Sequence, residues 1–271
     1  MRAWWETAKV IYFHFKLHEV PALGAQLTYY LILAFFPFLI FLLTVLSYTP
    51  VTSDLVLSDL ARLLPASAFG AVKQVVGETF QTSRPTLLSF SALLTLWAAS
   101  NGMNAIIRGI NKAYNEEETR SFWKLRGISI LFTLGLALTI LFAFVLLVLG
   151  RLLGQMLFDF IGQPEAFLRG WTLFRFALPL LVMLVVFMFF YRYAPNHPVS
   201  FRKVLPGAIF TSLGWVLTSW AFSFYVNEFG NFTAIYGSLG GMIVLLLWLY
   251  LSSMIILIGG ELNAGLQGDD S

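Results

Sequence analysis

The segment from Phe229 to Gly260 carries no charged side chain, and the first charge after it is Glu261, set between a glycine pair and "LNA". An apolar run of about 18 residues or more is long enough to cross a bilayer as a helix. Such windows recur along the chain: Val20–Ser53, Pro85–Ile107, Gly127–Gly150, Phe176–Tyr191 and Val204–Asn227 are also free of Asp, Glu, Lys and Arg. The shortest becomes a full span if it starts near Trp171 and takes in Arg175. Only 11% of the 271 residues are charged, against roughly 25% in soluble domains. The pattern predicts an all-α, polytopic membrane protein forming a single membrane domain. Its spans are expected at about 27–48, 87–107, 127–149, 171–191, 205–226 and 235–258.

Orientation follows from the basic residues, which favour the cytoplasmic side of short loops. With both termini inside, eleven of the 17 Lys and Arg fall on inner segments, among them Arg108, Lys112, Arg120, Lys124 and Arg126. Residues 51–84 then form an external segment, in which Leu55, Leu57, Leu60 and Leu63 alternate with Asp54, Asp59 and Arg62, as in short helices lying on a membrane. Residues 259–271 form a cytoplasmic tail. Residues 1–20 read as an interfacial amphipathic helix, with Trp4, Ala8, Ile11 and Phe15 on one face, Arg2, Glu6, Lys9 and Lys16 opposite, and Pro21 ending it. No cleavable leader is expected, because Met1–Glu19 is charged throughout. Pro37 and Pro179 would mark matching breaks if the fold were a three-plus-three duplication, but the loop lengths do not match.

Several polar stripes ride on these spans. Trp97, Asn101, Asn104, Arg108, Asn111 and Asn115 follow helical spacing along the second. Amides and a guanidinium are costly against lipid, so this stripe is expected to face protein or water. Asn101, Asn104 and Arg108 could then line a substrate site in which Arg108 holds an anionic headgroup with two hydrogen bonds. Arg175, inside the other end of the fourth span, is a similar candidate. Glu261 is expected at the inner boundary, within reach of water or of a basic residue from another inner loop. Gly237, Gly241 and Gly259 share a face with Trp248 and Ser252 and read as close helix packing. Thr211, Ser212, Thr218, Ser219 and Ser223 form a hydroxyl face on the fifth span, suited to packing or to a cavity wall.

Catalytic chemistry finds little footing. The chain has no cysteine, which removes disulfides and thiolate chemistry. His14 and His18 share a helix face, but "HFKLHE" lacks the acid placement of a zinc hydrolase. Glu116, Glu117 and Glu118 lie in a basic loop where pairing within the loop is expected. No metal, no cofactor and no nucleophile with its base is expected, and a net charge of +3 is no nucleic-acid surface.

"ALGAQLTYYLILAFFPFLIFLLTVL", "LWAASNGMNAIIRGINKAYN" followed by "FWKLRG", "VLPGAIFTSLGW" and "AIYGSLGGMIVLLLWLYLSSMIILIGGELNA" together resemble the YihY/BrkB family of bacterial inner-membrane proteins, over about residues 8–264. Gly260 stands where that pattern has alanine, and Gly240 near another alanine position. The resemblance implies six spans with both ends cytoplasmic and supplies no established activity. Members have been called ribonuclease BN, serum-resistance factors and transporters, and the nuclease label conflicts with the absence of a cleaving constellation here. The residues favour a transporter or flippase of lipids or other amphipathic anionic solutes. A cation/proton antiporter ranks second, because no carboxylate is expected deep in a span, and an envelope scaffold is a third reading. Membrane lipids are the expected partners, with a second copy or another membrane protein beyond them.

Overall fold

The computed structural model describes residues 12–47, 85–139, 164–229 and 239–268. They form seven helices: α1 (12–17), α2 (Val20–Ser47), α3 (Pro85–Ala113), α4 (Phe122–Thr139), α5 (Pro164–Tyr193), α6 (Phe201–Phe229) and α7 (Gly240–Gly268). No strand occurs among the described residues, and the fold is all-α. Four helical segments are long and apolar enough to cross a membrane: Ser89–Ala113, Phe122–Thr139, Phe201–Val226 and Gly240–Gln267. Val20–Phe35 and Ala177–Tyr193 are shorter apolar stretches.

Local chemistry sets the helix ends. Glu19 adopts a left-handed backbone (φ 55°), and its carbonyl accepts the amides of Ala22 and Leu23. The bend that ends α1 is therefore at His18–Glu19. Pro21, expected to end the first helix, sits in the first turn of α2, where its missing N–H costs nothing. Ser200 caps α6, its carbonyl taking the amides of Lys203 and Val204. Helix α3 closes in a Schellman motif: the Glu116 amide reaches the Asn111 carbonyl, the Asn115 amide reaches that of Lys112, and Asn115 is left-handed (φ 53°).

The helices outrun the apolar windows. Helix α7 continues past the expected span end near residue 258 to Gly268, so residues 259–268 are helical. An apolar window measures hydrocarbon thickness, whereas a helix continues as long as its polar side chains find partners. Gln267 does so, donating to the Asn263 carbonyl (2.9 Å) and the Tyr114 hydroxyl (3.2 Å). Residues 1–11, 51–84 and 140–163, with the expected interfacial face at Trp4 and Ala8 and the expected surface-lying external helices, lie outside the described residues.

The described chain divides into two compact units, and the division falls within α3, α6 and α7. One unit gathers 19–47, 85–106, 216–229 and 239–257. Its interior holds Val20, Leu27, Ala98 and Ala105, all nearly inaccessible. Gly24 faces Met254 and Gly102 faces Leu27 and Tyr30, so small residues let these helices close up. Trp248 donates to the Ser219 hydroxyl at 3.1 Å. The other unit gathers 12–18, 107–139, 164–215 and 258–268, around Ile107, Ile110, Tyr191, Ala194 and Val204. This second unit contains the candidate site.

Candidate functional site

The site is built where α6 and α7 cross. A side chain on Gly207 would run into the Gly259 carbonyl and the Asn263 amide, and one on Gly259 would run into the Thr211 and Tyr191 hydroxyls. Glycine at both places lets the backbones meet. Asn263 then accepts the Gly207 amide on Oδ1 at 2.7 Å, and the Tyr191 and Thr211 hydroxyls pair at 2.7 Å. All five residues are buried. Against the bare backbone of Gly260 lies Ile110 of α3.

Glu261 sits next to this crossing and is 2% exposed. Its Oε1 lies 2.7 Å from Nδ1 of His18, itself 4% exposed. Its Oε2 is buried and has no hydrogen-bond partner among the described residues. Positions two apart on a helix diverge by about 200°, so Glu261 and Asn263 point to different neighbours. The carboxylate, expected within reach of water or of a basic residue from another inner loop, is enclosed, and its partner is a histidine of the N-terminal segment, 243 residues away. His14 and Lys112 are the other basic side chains near it. Taking a carboxylate out of water costs several kcal/mol that good pairing must recover. Here half of the carboxylate is left without that pairing.

The α3 stripe does several different jobs. Asn111 donates to Glu118 (2.8 Å) and accepts the Asn196 amide (2.8 Å), so it ties the loop after α3 to the loop after α5. Asn115 is the α3 cap. Arg120 grips Glu118 with Nε and Nη2 and also donates to the Ala194 carbonyl. That grip holds the Glu118 carboxyl below the usual glutamate value. Glu116 pairs with His197 at 3.3 Å. Burial pushes the Tyr114 phenol up to about 12, so at neutral pH it is a protonated hydroxyl. Asn101 is half-buried and engaged; Asn104 is half-buried, and its Oδ1 has no partner among the described residues. Arg108 is exposed. Within their shared unit, Arg108 and Glu261 are not brought into an ion pair.

Of the remaining candidates, the Arg175 side chain and Gly237 lie outside the described residues, while Gly241 and Gly259 are buried. Thr218 of the hydroxyl face lines an otherwise largely apolar groove with Phe222, Tyr225, Leu247 and Tyr250. Among the described residues no group of three or more His, Asp or Glu is placed to hold a metal ion. His18 was not singled out from sequence as a site residue. Its one signal was the shared face with His14.

Several long apolar helices define a multi-pass membrane protein. The chain belongs to the BrkB family: the family model described as virulence factor BrkB matches residues 11–271. The ribonuclease-like protein YfkH of Bacillus subtilis (strain 168) is 45% identical over 256 residues, covering 94% of this chain and 93% of that one. A UPF0761 membrane protein of Chromohalobacter salexigens is 28% identical across 93% of this chain, which spans 61% of that relative. Another, from Pseudoalteromonas atlantica, is 27% identical across 97% of this chain and 88% of its own length. No solved structure matches the chain.

Proposed function

We propose that this protein is a transporter of the bacterial inner membrane that exchanges protons for a cation through Glu261. The observation that carries the reading is the enclosed carboxylate, with one oxygen on His18 and the other unpartnered, inside a continuous apolar helix. Ionisable groups in such surroundings are expensive and mark ion and proton pathways. A purely structural tie would be expected to engage both carboxylate oxygens. Antiport ranked second in the sequence because no carboxylate was expected deep in a span; Glu261 does stand toward the end of α7, and what favours the reading is its enclosure by protein. The proposed topology is a single membrane domain of six spans with both ends cytoplasmic, and no catalytic role is proposed.

The test is purified protein in liposomes loaded with a pH-reporting dye, given an inward gradient of Na⁺, K⁺ or Li⁺. The expected result is a cation-dependent pH change that Glu261→Gln abolishes. A wild-type protein that gives no pH change with any of the three cations overturns the reading.

A second reading, translocation of lipids or amphipathic anions, is favoured by the exposed Arg108 at the end of the Asn101–Asn104 stripe. It predicts movement of labelled anionic lipid that falls in Arg108→Ala and Asn101→Ala. Arg175 would serve the same anion from its own end of α5.

A further inference from the structure

We infer that His14 and His18 are the proton uptake route of the Glu261 site, so that α1 feeds the carboxylate from water. The inference rests on the proton-exchange reading above and names how protons arrive. At 2% exposure Glu261 cannot trade protons with bulk water directly. His18, which touches it, is 4% exposed and is no better placed. The His14 ring stacks on that of His18, with centroids 5.1 Å apart and planes at 25°. His14 is half-buried and so reaches both the interior and water, and its Nδ1 is buried with no hydrogen-bond partner among the described residues. Through these two contacts water, His14, His18 and Glu261 follow one another in sequence.

Imidazole suits each step because its ordinary pKa lies near neutrality and its two nitrogens can accept on one side and donate on the other. A proton taken up by His14 passes to His18 through one water, because stacked rings do not aim their ring nitrogens at each other. His18 then gives the proton on Nδ1 to Glu261 Oε1 and keeps the one received at Nε2. It is left as the other neutral tautomer, and once Glu261 has passed its proton on, rotation of the imidazole ring presents an N–H to the carboxylate again and resets it. No other reactant is consumed.

The surrounding charges fit a route with one terminus. Glu261 is the only charged residue of α7. Lys112 stands in the last turn of α3, in the same unit as the carboxylate. Lys16 of α1 is exposed, with Nζ over the Tyr12 ring, and Glu19 is exposed in the bend that follows.

The test follows proton flux in the same dye-loaded liposomes across pH, for wild type, His14→Ala, His14→Gln and Glu261→Gln. Both His14 variants are expected to keep the wild-type melting temperature and apparent cation affinity. Their flux at neutral pH should fall by about a hundredfold, the lower end of what a positioned acid–base group contributes. Millimolar imidazole in the bath should restore flux to His14→Ala and not to Glu261→Gln. Flux in both His14 variants equal to wild type at every pH overturns the route while leaving Glu261 as the exchange site. So does a slow flux that imidazole leaves slow. A silent wild-type protein removes the exchange reading and this route with it.

Discussion

Arg120 and Glu118 show how much a two-residue spacing can do. Asp or Glu next to a guanidinium in a loop is common, but here the guanidinium also reaches the Ala194 carbonyl, and the same carboxylate takes the Asn111 amide. Because the folded state holds Glu118 below its ordinary value, its contribution is fully present above the ordinary glutamate value. It is lost as pH falls through the lower folded value. Melting temperature in detergent should therefore drop more steeply under acid for wild type than for Glu118→Gln, with the two curves converging at the lowest pH; parallel curves would count against the clasp. Pairing of Glu118 within its own loop was legible in the sequence, whereas Glu116 pairs with His197 of the loop after α5. The His18–Glu261 pair was only half legible: an isolated charge at the end of an apolar run drew the eye to Glu261, but nothing local points across 243 residues to its partner. Removing one member of a buried pair typically costs about 3–5 kcal/mol, while replacing both by apolar groups is often neutral. His18→Leu should destabilise by about that amount, and adding Glu261→Met should recover most of it. A double variant no more stable than His18→Leu would mean that Glu261 contributes through other contacts.

Between elements, the decisive feature is the crossing of α6 and α7. Helical spacing marked Gly259 as a packing residue, since a stripe of small residues can be counted from one helix alone. Gly207 escaped notice because its reason for being glycine is the backbone of another helix. The same limit applies to Asn115, which spacing assigned to the polar stripe and which serves as a left-handed cap. Helix positions were legible because charge-free windows record them, but helix ends were not, since they depend on caps and on partners such as Tyr114 for Gln267. Gly207→Ala should cost about 1–3 kcal/mol of unfolding free energy, the usual range for overpacking. The clashing atom there is a backbone carbonyl that cannot swing away. Gly135→Ala in α4, where an added carbon meets nothing within 4 Å, should be neutral or gain up to about 1 kcal/mol. Chemical unfolding of both variants in one detergent compares them directly, and equal losses would show that the crossing is looser than its geometry.

For the whole molecule, sequence and structure speak through different physics. Charge-free windows give six apolar stretches; the described helices include four long enough to span and two shorter apolar ones. Membrane sidedness leaves no trace in side-chain packing, because it is set by where Lys and Arg fall relative to the bilayer. It is also the property on which the proton route depends, since α1 must face the compartment that supplies the protons. The chain has no cysteine, so a single introduced thiol reports its own position without background. Glu117→Cys and Pro198→Cys lie in exposed loops after α3 and α5, and Ser67→Cys lies in the segment expected outside. With both termini cytoplasmic, an impermeant maleimide added to intact cells should label Ser67→Cys and spare the other two until the membrane is opened. The reverse pattern would invert the topology, put α1 on the outer face and make the external pH the one that His14 senses.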